Sequence, residues 1–397
     1  MIICPNCNTQ NQQDAKKCPN CKKKLISKKS TNAPLIAIVG ATVLLISVIA
    51  IYFLSETADN SEIVQAPSLN ADSTNLEQGL FTATGAGSDI HGAIHRIEDN
   101  GNVVYLFGTM HAAAPEWFPL ADIVEEAMRR ADVFAFEFDL TLASVSLDEL
   151  ATLVDLFQTG QYLQEQTLAD VVSANVHAAI VRYIETYGLT YEEIYRKNPI
   201  ALATELQVAV MADVFAEFGI YYDEQIGVDG YILDFAMQNA RPIIGLEPIE
   251  QQIRIGSAPN QEILDRAGFT GTLDEIFYDA LVDFVPRDEL FTTLYDSTAT
   301  HYQYKNNDIE GIIAAMDVNS DELENAFTRY TVEVLLNFRS TYYANAIANL
   351  LRTTDEPTTF FVAVGLSHVI RQGEYLTNIV EQLELLGITA EPIWNSQ

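Results

Sequence analysis

From Ala33 to Leu54 the chain reads APLIAIVGATVLLISVIAIYFL, 22 residues without a charge. This run constrains the fold more than any other stretch. At ~1.5 Å rise per residue it reaches ~33 Å as a helix, enough to cross the hydrocarbon of a bilayer. Its length and flanks argue against a buried core helix. A cleaved signal peptide fits poorly too, because no A-x-A site follows and a cysteine module precedes. Seven lysines (Lys16, Lys17, Lys22, Lys23, Lys24, Lys28 and Lys29) lie before the run, and acids (Glu56, Asp59, Glu62) follow it. The excess of lysine on one side predicts a single-pass protein of the cell membrane, with its N-terminus cytoplasmic and the rest outside.

All four cysteines fall in the first 21 residues, as Cys4-Pro-Asn-Cys7 and Cys18-Pro-Asn-Cys21. Two CxxC turns can supply four thiolates to one tetrahedral ion, so residues 1–26 read as a zinc ribbon with a closed, structural Zn2+. Two disulfides are the alternative in an oxidising compartment. A segment this small has little apolar core, and metal binding would provide its folding energy. Residues 55–80 are polar, acidic and without sustained periodicity, as expected of a flexible linker.

Charge separates the remainder from this N-terminal end. The whole chain carries 22 Lys+Arg against 55 Asp+Glu, a net of −33. Beyond residue 32 there are 15 bases and 54 acids, a net of −39. Such a surface repels phosphate, which excludes nucleic-acid binding by the main domain. It suits solubility outside the cell, and it attracts cationic peptides.

The expected extracytoplasmic domain, residues 81–397, is long enough to bury a core without disulfides. Ile94 and Val103–Phe107 flank Asn100-Gly101, a hairpin signal. Asp132–Phe136, Arg241–Leu246, Thr359–Val364 and Ile388–Ile393 read as further short strands. Between them lie helical patterns, including long ones over about 147–239 and up to about Leu351. The alternation predicts an α/β fold: a central mixed sheet flanked by helices, with a helical insertion.

Two strands end alike. Val103–Phe107 runs into Gly108-Thr109-Met110-His111, and Phe360–Val364 runs into Gly365-Leu366-Ser367-His368. In α/β sheets, functional groups gather at the carboxyl ends of strands. Two Gly-x-x-His turns on neighbouring strands would aim two imidazoles at one point. Glu137 and Glu247 also stand at strand ends. Two histidines and a carboxylate suit a divalent metal of open coordination, whose identity the residues leave undetermined.

Phe107–His111, Ala131–Glu137, the stretch from Gly227-Val228-Asp229 to Gly245-Leu246-Glu247, and Val364–His368 together resemble the TraB/GumN family, related to the Tiki proteases. The similarity spans about residues 91–395. It implies a membrane-associated, metal-dependent peptidase-like fold, with His111, Glu137 and His368 at the family's two GxxH motifs and its acidic position. Leu335–Ser340 resembles a family segment in which arginine is usually followed by asparagine; here Ser340 follows Arg339. Some members of the family are known only as regulators of peptide signals.

The expected chemistry is metal-assisted hydrolysis of an amide bond in a peptide or protein outside the cell. His111 and His368 would be ligands, and Glu137 a third ligand or the base. Glu247 is either a second base or a capping acid. Arg339 pairs with a substrate carboxylate or, preferably, with Glu137 or Glu247. Asp229 reads as a helix N-terminal charge, and His91, His95, His177 and His301 as surface or packing residues. Tyr221-Tyr222 and Tyr342-Tyr343 line a groove or fill the core. Two other functions fit the same cleft: a non-catalytic binder of peptide signals, and a metal-free hydrolase resembling the erythromycin-esterase-like proteins.

Overall fold

A computed structural model describes residues 88–142, 145–217, 227–297, 299–316, 318–354, 356–370 and 373–394, together with Ile2, Ile3, Gln10 and Asn11. The four cysteines, the 33–54 run, the 55–80 linker and Tyr221-Tyr222 lie outside the described residues. The chain divides into two compact units, Met1–Ala33 and Pro34–Gln397. In the first, β1 (Ile2–Ile3) pairs antiparallel with β2 (Gln10–Asn11).

In the second unit, Asn100 and Gly101 both take positive φ, 51° and 81°, the conformation a two-residue hairpin turn requires. They join β3 (Ala93–Asp99) to β4 (Asn102–Thr109), with Asp99 opposite Asn102. Four more strands complete a six-stranded sheet: β5 (Val133–Phe136), β6 (Ile243–Gly245), β7 (Thr359–Gly365) and β8 (Ala390–Pro392). Their order is β6-β5-β7-β4-β3-β8. The first four of these are mutually parallel; β3 runs antiparallel to β4, and β8, at the far edge, runs antiparallel to β3. The runs VVYLF, VFAF and FFVAV are apolar without alternation because helices cover both faces of a parallel sheet.

Helices at i, i+3, i+4 spacing supply the cover. Asp122–Arg130 contributes Val124, Ala127 and Met128 to the sheet core; Val228–Gln238 contributes Val228, Ile232 and Ala236. Arg339–Thr353 adds Tyr343, Ala344, Ile347 and Leu351. The helices between β5 and β6, and between β6 and β7, build a second core around Leu168, Ile180, Ile194, Ile276, Phe277, Tyr330 and Leu335.

Among the described residues one helix, Pro199–Glu217, is long and apolar enough to span a membrane. It is mostly buried. Its first half (Ile200, Leu202, Leu206) lies in the helical core and its second half (Val210, Val214, Phe215) in the sheet core. Contact with two cores accounts for its hydrophobicity, while Asp213 and Glu217 lie on its exposed side.

Two histidines are packed into this frame as neutral rings. His95 stands edge-on to Trp394 at 4.8 Å, and His301 lies 4.5 Å from Phe215. Neither Nδ1 has a hydrogen-bond partner among the described residues. Burial pulls His95 down to about 4. Burial, aided by the charge of His111, pulls His301 down to about 3. Both values lie below the ordinary 6.5. Below that pH the unfolded chain takes up protons that the folded chain refuses. The stabilisation is therefore complete above pH 6.5 and is lost as the pH falls towards 4 and 3, at up to ~1.4 kcal/mol per pH unit for each ring. Urea denaturation of His301→Phe between pH 6.5 and 4 is expected to show a shallower loss than the unsubstituted chain. Parallel pH profiles would refute the assignment.

Candidate functional site

Because β4, β7, β5 and β6 are parallel neighbours, their carboxyl ends lie along one edge of the sheet. Thr109 on β4 is level with Gly365 on β7, and Phe136 on β5 is level with Ala363. His111, His368, Glu137 and Glu247 follow these four strand ends, so residues 257 positions apart in sequence reach one place.

The glycines of both turns make this approach possible. A Cβ on Gly108 would stand 2.6 Å from Leu366 Cδ1 and 3.1 Å from Leu366 Cα, so the first turn packs directly on the second. At Gly365 a Cβ would sit 3.2 Å from Glu137 Oε1, 3.8 Å from His111 Nε2 and 3.8 Å from His368 Cδ2. Two rings and a carboxylate thus surround one point, and the rings are separated by no more than twice the longer distance. Glu137 and His111 keep 12% and 17% of their side chains open to solvent, whereas His368 is buried. The approach to the cleft is therefore past His111 and Glu137.

Each ring is held through Nδ1. His111 Nδ1 lies 2.7 Å from Asp229 Oδ2, and His368 Nδ1 lies 2.9 Å from Ser340 Oγ. With Nδ1–H donated to Asp229, His111 turns its Nε2 to the cleft, 3.8 Å from the Gly365 Cβ position; the Ser340 hydroxyl suits either tautomer of His368.

Arg339 holds the acids. It follows a π-helical segment, Thr331–Phe338, at the start of Arg339–Thr353. Its guanidinium donates to Glu137 Oε2 at 2.7 Å and to Glu247 Oε1 at 2.7 and 3.0 Å, and also to Gln252 and Tyr343. Tyr343 donates to Glu247 Oε1 at 2.6 Å, and Gln251 donates to Oε2 at 2.7 Å. Glu247 has no exposed side-chain surface, so it meets no water to activate. Its work is to anchor Arg339. Glu137 spends its other oxygen on the Gly365 N–H, at 2.9 Å.

The electrostatics follow from this crowd. Burial would raise Glu137, but Arg339 and the two histidines outweigh it and hold the carboxyl at about 2. As a carboxylate it is permanently available; as a proton acceptor it is weak. Burial would lower His111, but Asp229 and Glu137 together lift it to about 9. Burial dominates at His368 and takes it down to about 3 despite Glu137.

A family model for the TraB/PrgY/gumN family matches residues 93–392. The chain belongs to this family. No curated protein and no solved structure matches it. The matched span of this TraB/PrgY/gumN chain runs from the first residue of β3 to the last of β8, and so contains every residue of the cleft.

The family resemblance implies a metal. Among the described residues no group of three or more His, Cys, Asp or Glu side chains is assembled to hold an ion. At this cleft each Glu137 oxygen accepts one N–H bond and keeps a second lone pair, so the carboxylate can still serve as a third donor. The charge argues for an ion as well. The cluster holds three carboxylates (Glu137 and Glu247 on Arg339, Asp229 on His111) against one guanidinium, and a proton on His111 still leaves one negative charge in excess. A divalent ion in place of that proton would leave the cluster neutral. Two imidazoles, one of them exchanging its proton for the ion, together with this deficit fit a divalent ion with several open positions.

Sequence reasoning placed His111, His368, Glu137, Glu247 and Arg339 in the site, and the structure brings all five together. Three neighbours were missed. Asp229 is in the first turn of Val228–Gln238, where it was expected, but its carboxylate faces His111. Ser340 and Tyr343 follow Arg339 on one helix, and nothing in their local pattern signals contact with His368 or Glu247. His91 and His177 lie apart, bonded to the Gly92 carbonyl and the Tyr191 hydroxyl.

Removing Arg339 would leave two buried carboxylates facing each other. Arg339→Met is expected to cost about 3–5 kcal/mol in urea denaturation at neutral pH. A loss under about 1 kcal/mol would mean that the ion pairs do not hold the cleft together.

Proposed function

We propose that this chain is a membrane-anchored hydrolase of peptide amide bonds outside the cell, in which a divalent metal is held by His111 and His368. The observation that carries the reading is the convergence of His111 Nε2, Glu137 Oε1 and the His368 ring about Gly365. Anchoring is supported by the 22-residue run at 33–54 with lysines before it and acids after it. The zinc ribbon at Cys4, Cys7, Cys18 and Cys21 would be cytoplasmic and structural.

In this reading the two imidazoles bind through Nε2, and Glu137 either completes the set or orients the attacking water. The bound ion supplies a Lewis acid that brings the pKa of water towards neutrality. Asp229 and Ser340 keep the rings turned to the cleft. Arg339 keeps Glu137 ionised, and Tyr343 and Glu247 keep Arg339 in place. The half-open flank at His111 and Glu137 admits the substrate carbonyl, and the acidic surface favours cationic peptides.

The metal-free alternative asks His111 to take a proton from water. That ring is already protonated below about pH 9. A metal-free hydrolase would therefore gain activity only as the pH rises towards 9, whereas metal binding removes the proton at neutral pH.

The full chain in detergent, incubated at pH 7.5 with a peptide library and Zn2+, Mn2+ or Co2+, is expected to cleave peptides and to stop on chelation. His111→Ala/His368→Ala should abolish uptake of the ion at this site while circular dichroism shows that the chain still folds. Absence of cleavage with every ion, alongside stoichiometric peptide binding, would replace the hydrolase with a peptide-sequestering protein.

A further inference from the structure

The two histidines of the cleft are held by unlike partners. Asp229 is gripped on both oxygens: Thr109 Oγ1 donates to Oδ1 at 2.5 Å, and His111 Nδ1 meets Oδ2 at 2.7 Å. The carboxylate bridges two residues of the same strand end and cannot turn away from either. Its backbone is pinned to the same strand end. Val228 N–H donates to the Met110 carbonyl at 2.9 Å, and a Cβ on Gly227 would come within 2.5 Å of the His111 carbonyl oxygen. Residues 109–111 and 227–229 therefore move as one body. The first turn of Val228–Gln238 adds peptide dipoles that favour a negative charge at Asp229.

His368 has a weaker hold. Ser340 Oγ is a neutral hydroxyl that can donate or accept, so it satisfies either tautomer of the ring and lends no charge. Tyr343 only packs edge-on to it at 5.2 Å. A carboxylate behind a ligating imidazole fixes the tautomer and increases the basicity of the far nitrogen; a hydroxyl does much less.

We propose that Asp229 is the positioning residue of the cleft, making His111 the dominant imidazole donor and His368 the subordinate one, so that affinity for a divalent cation depends on Asp229 far more than on Ser340. This rests on the metal reading above and adds a ranking that the reading does not contain.

The test is a titration of the metal-stripped full chain in detergent with Co2+ alone, followed by calorimetry and by the visible absorption of the bound ion. Signal from the cysteine module is subtracted with His111→Ala/His368→Ala. Asp229→Asn, nearly isosteric but uncharged and with one acceptor oxygen for two donors, should weaken Co2+ binding at the cleft by ~10- to 100-fold and alter the absorption band. Ser340→Ala should weaken it by less than ~5-fold, and Asp229→Glu should recover part of the Asp229→Asn loss. Circular dichroism of the metal-free chain should show that all of them fold. Equal effects of Asp229→Asn and Ser340→Ala overturn the ranking alone, since binding to the unsubstituted chain would still stand. Absence of Co2+ at the cleft of the unsubstituted chain overturns both the ranking and the metal reading. Should Asp229→Asn fail to fold, Thr109→Val, which frees one carboxylate oxygen but keeps Asp229, must itself lower the affinity; unchanged binding there overturns the proposal.

Discussion

The parallel pairing of β4 with β7 is the constraint on which the cleft depends. Seven residue pairs from Val103↔Thr359 to Thr109↔Gly365 bring the start and end of the domain side by side. Strand register is quantised, and a slip by one residue would turn every side chain to the other face. Both faces here are apolar, so hydrophobicity alone selects the register weakly. The ends select it strongly: only with Thr109 beside Gly365 does Gly108 find room against Leu366, and only then do both Gly-x-x-His turns leave the sheet at one level. The fit between the turns thus pins the sheet, and the sheet in turn places the turns.

Gathering three carboxylates at one sheet edge is unfavourable unless something offsets them. Arg339 does so from the interior. It reaches Glu137 and Glu247 from a single helix position, and its planar fork meets both. Its own proton is never at risk: burial works against the charge, but Glu247, Tyr343 and Glu137 raise its pKa far above the ordinary value. The arrangement divides labour between the acids. Glu247, fully enclosed, fixes the arginine, and the arginine fixes Glu137, which faces the opening. Glu137 thereby remains ionised at a partly desolvated position where an isolated carboxyl would tend to protonate.

Much of this was readable from sequence where the signal was local. Apolar runs ending in Gly-x-x-His mark strand ends, and the strand ends mark the site, because the parallel α/β arrangement leaves few other places for polar groups. The alternation of short strands with helices likewise announced a mixed sheet under helical cover. Asp229, Ser340 and Tyr343 were not readable, because their partners lie on other elements. The 2.7 Å contact between Asp229 and His111 joins residues 118 positions apart. A carboxylate two residues after a glycine looks the same whether it caps its own helix or holds a distant imidazole. Helix Pro199–Glu217 shows the converse limit. Its composition passes for a membrane span, and only its position astride two cores identifies it as interior.

The values at the two histidines follow from this asymmetry and bear on what the cleft can bind. The field that lifts His111 to about 9 comes from Asp229 and Glu137, and it attracts any cation, proton or metal alike. An ion held here as proposed would have to displace that proton at neutral pH, at a greater cost than at a bare imidazole. The displacement returns the cluster to neutrality only when the incoming ion carries two charges, so a monovalent ion gains nothing over the proton it replaces. His368, neutral at the same pH, offers its lone pair without such a cost but also without the field. In the proposed metal site the charge of the ion would count at His111 and hardly at His368. The carboxylate behind His111 is the feature that separates the two.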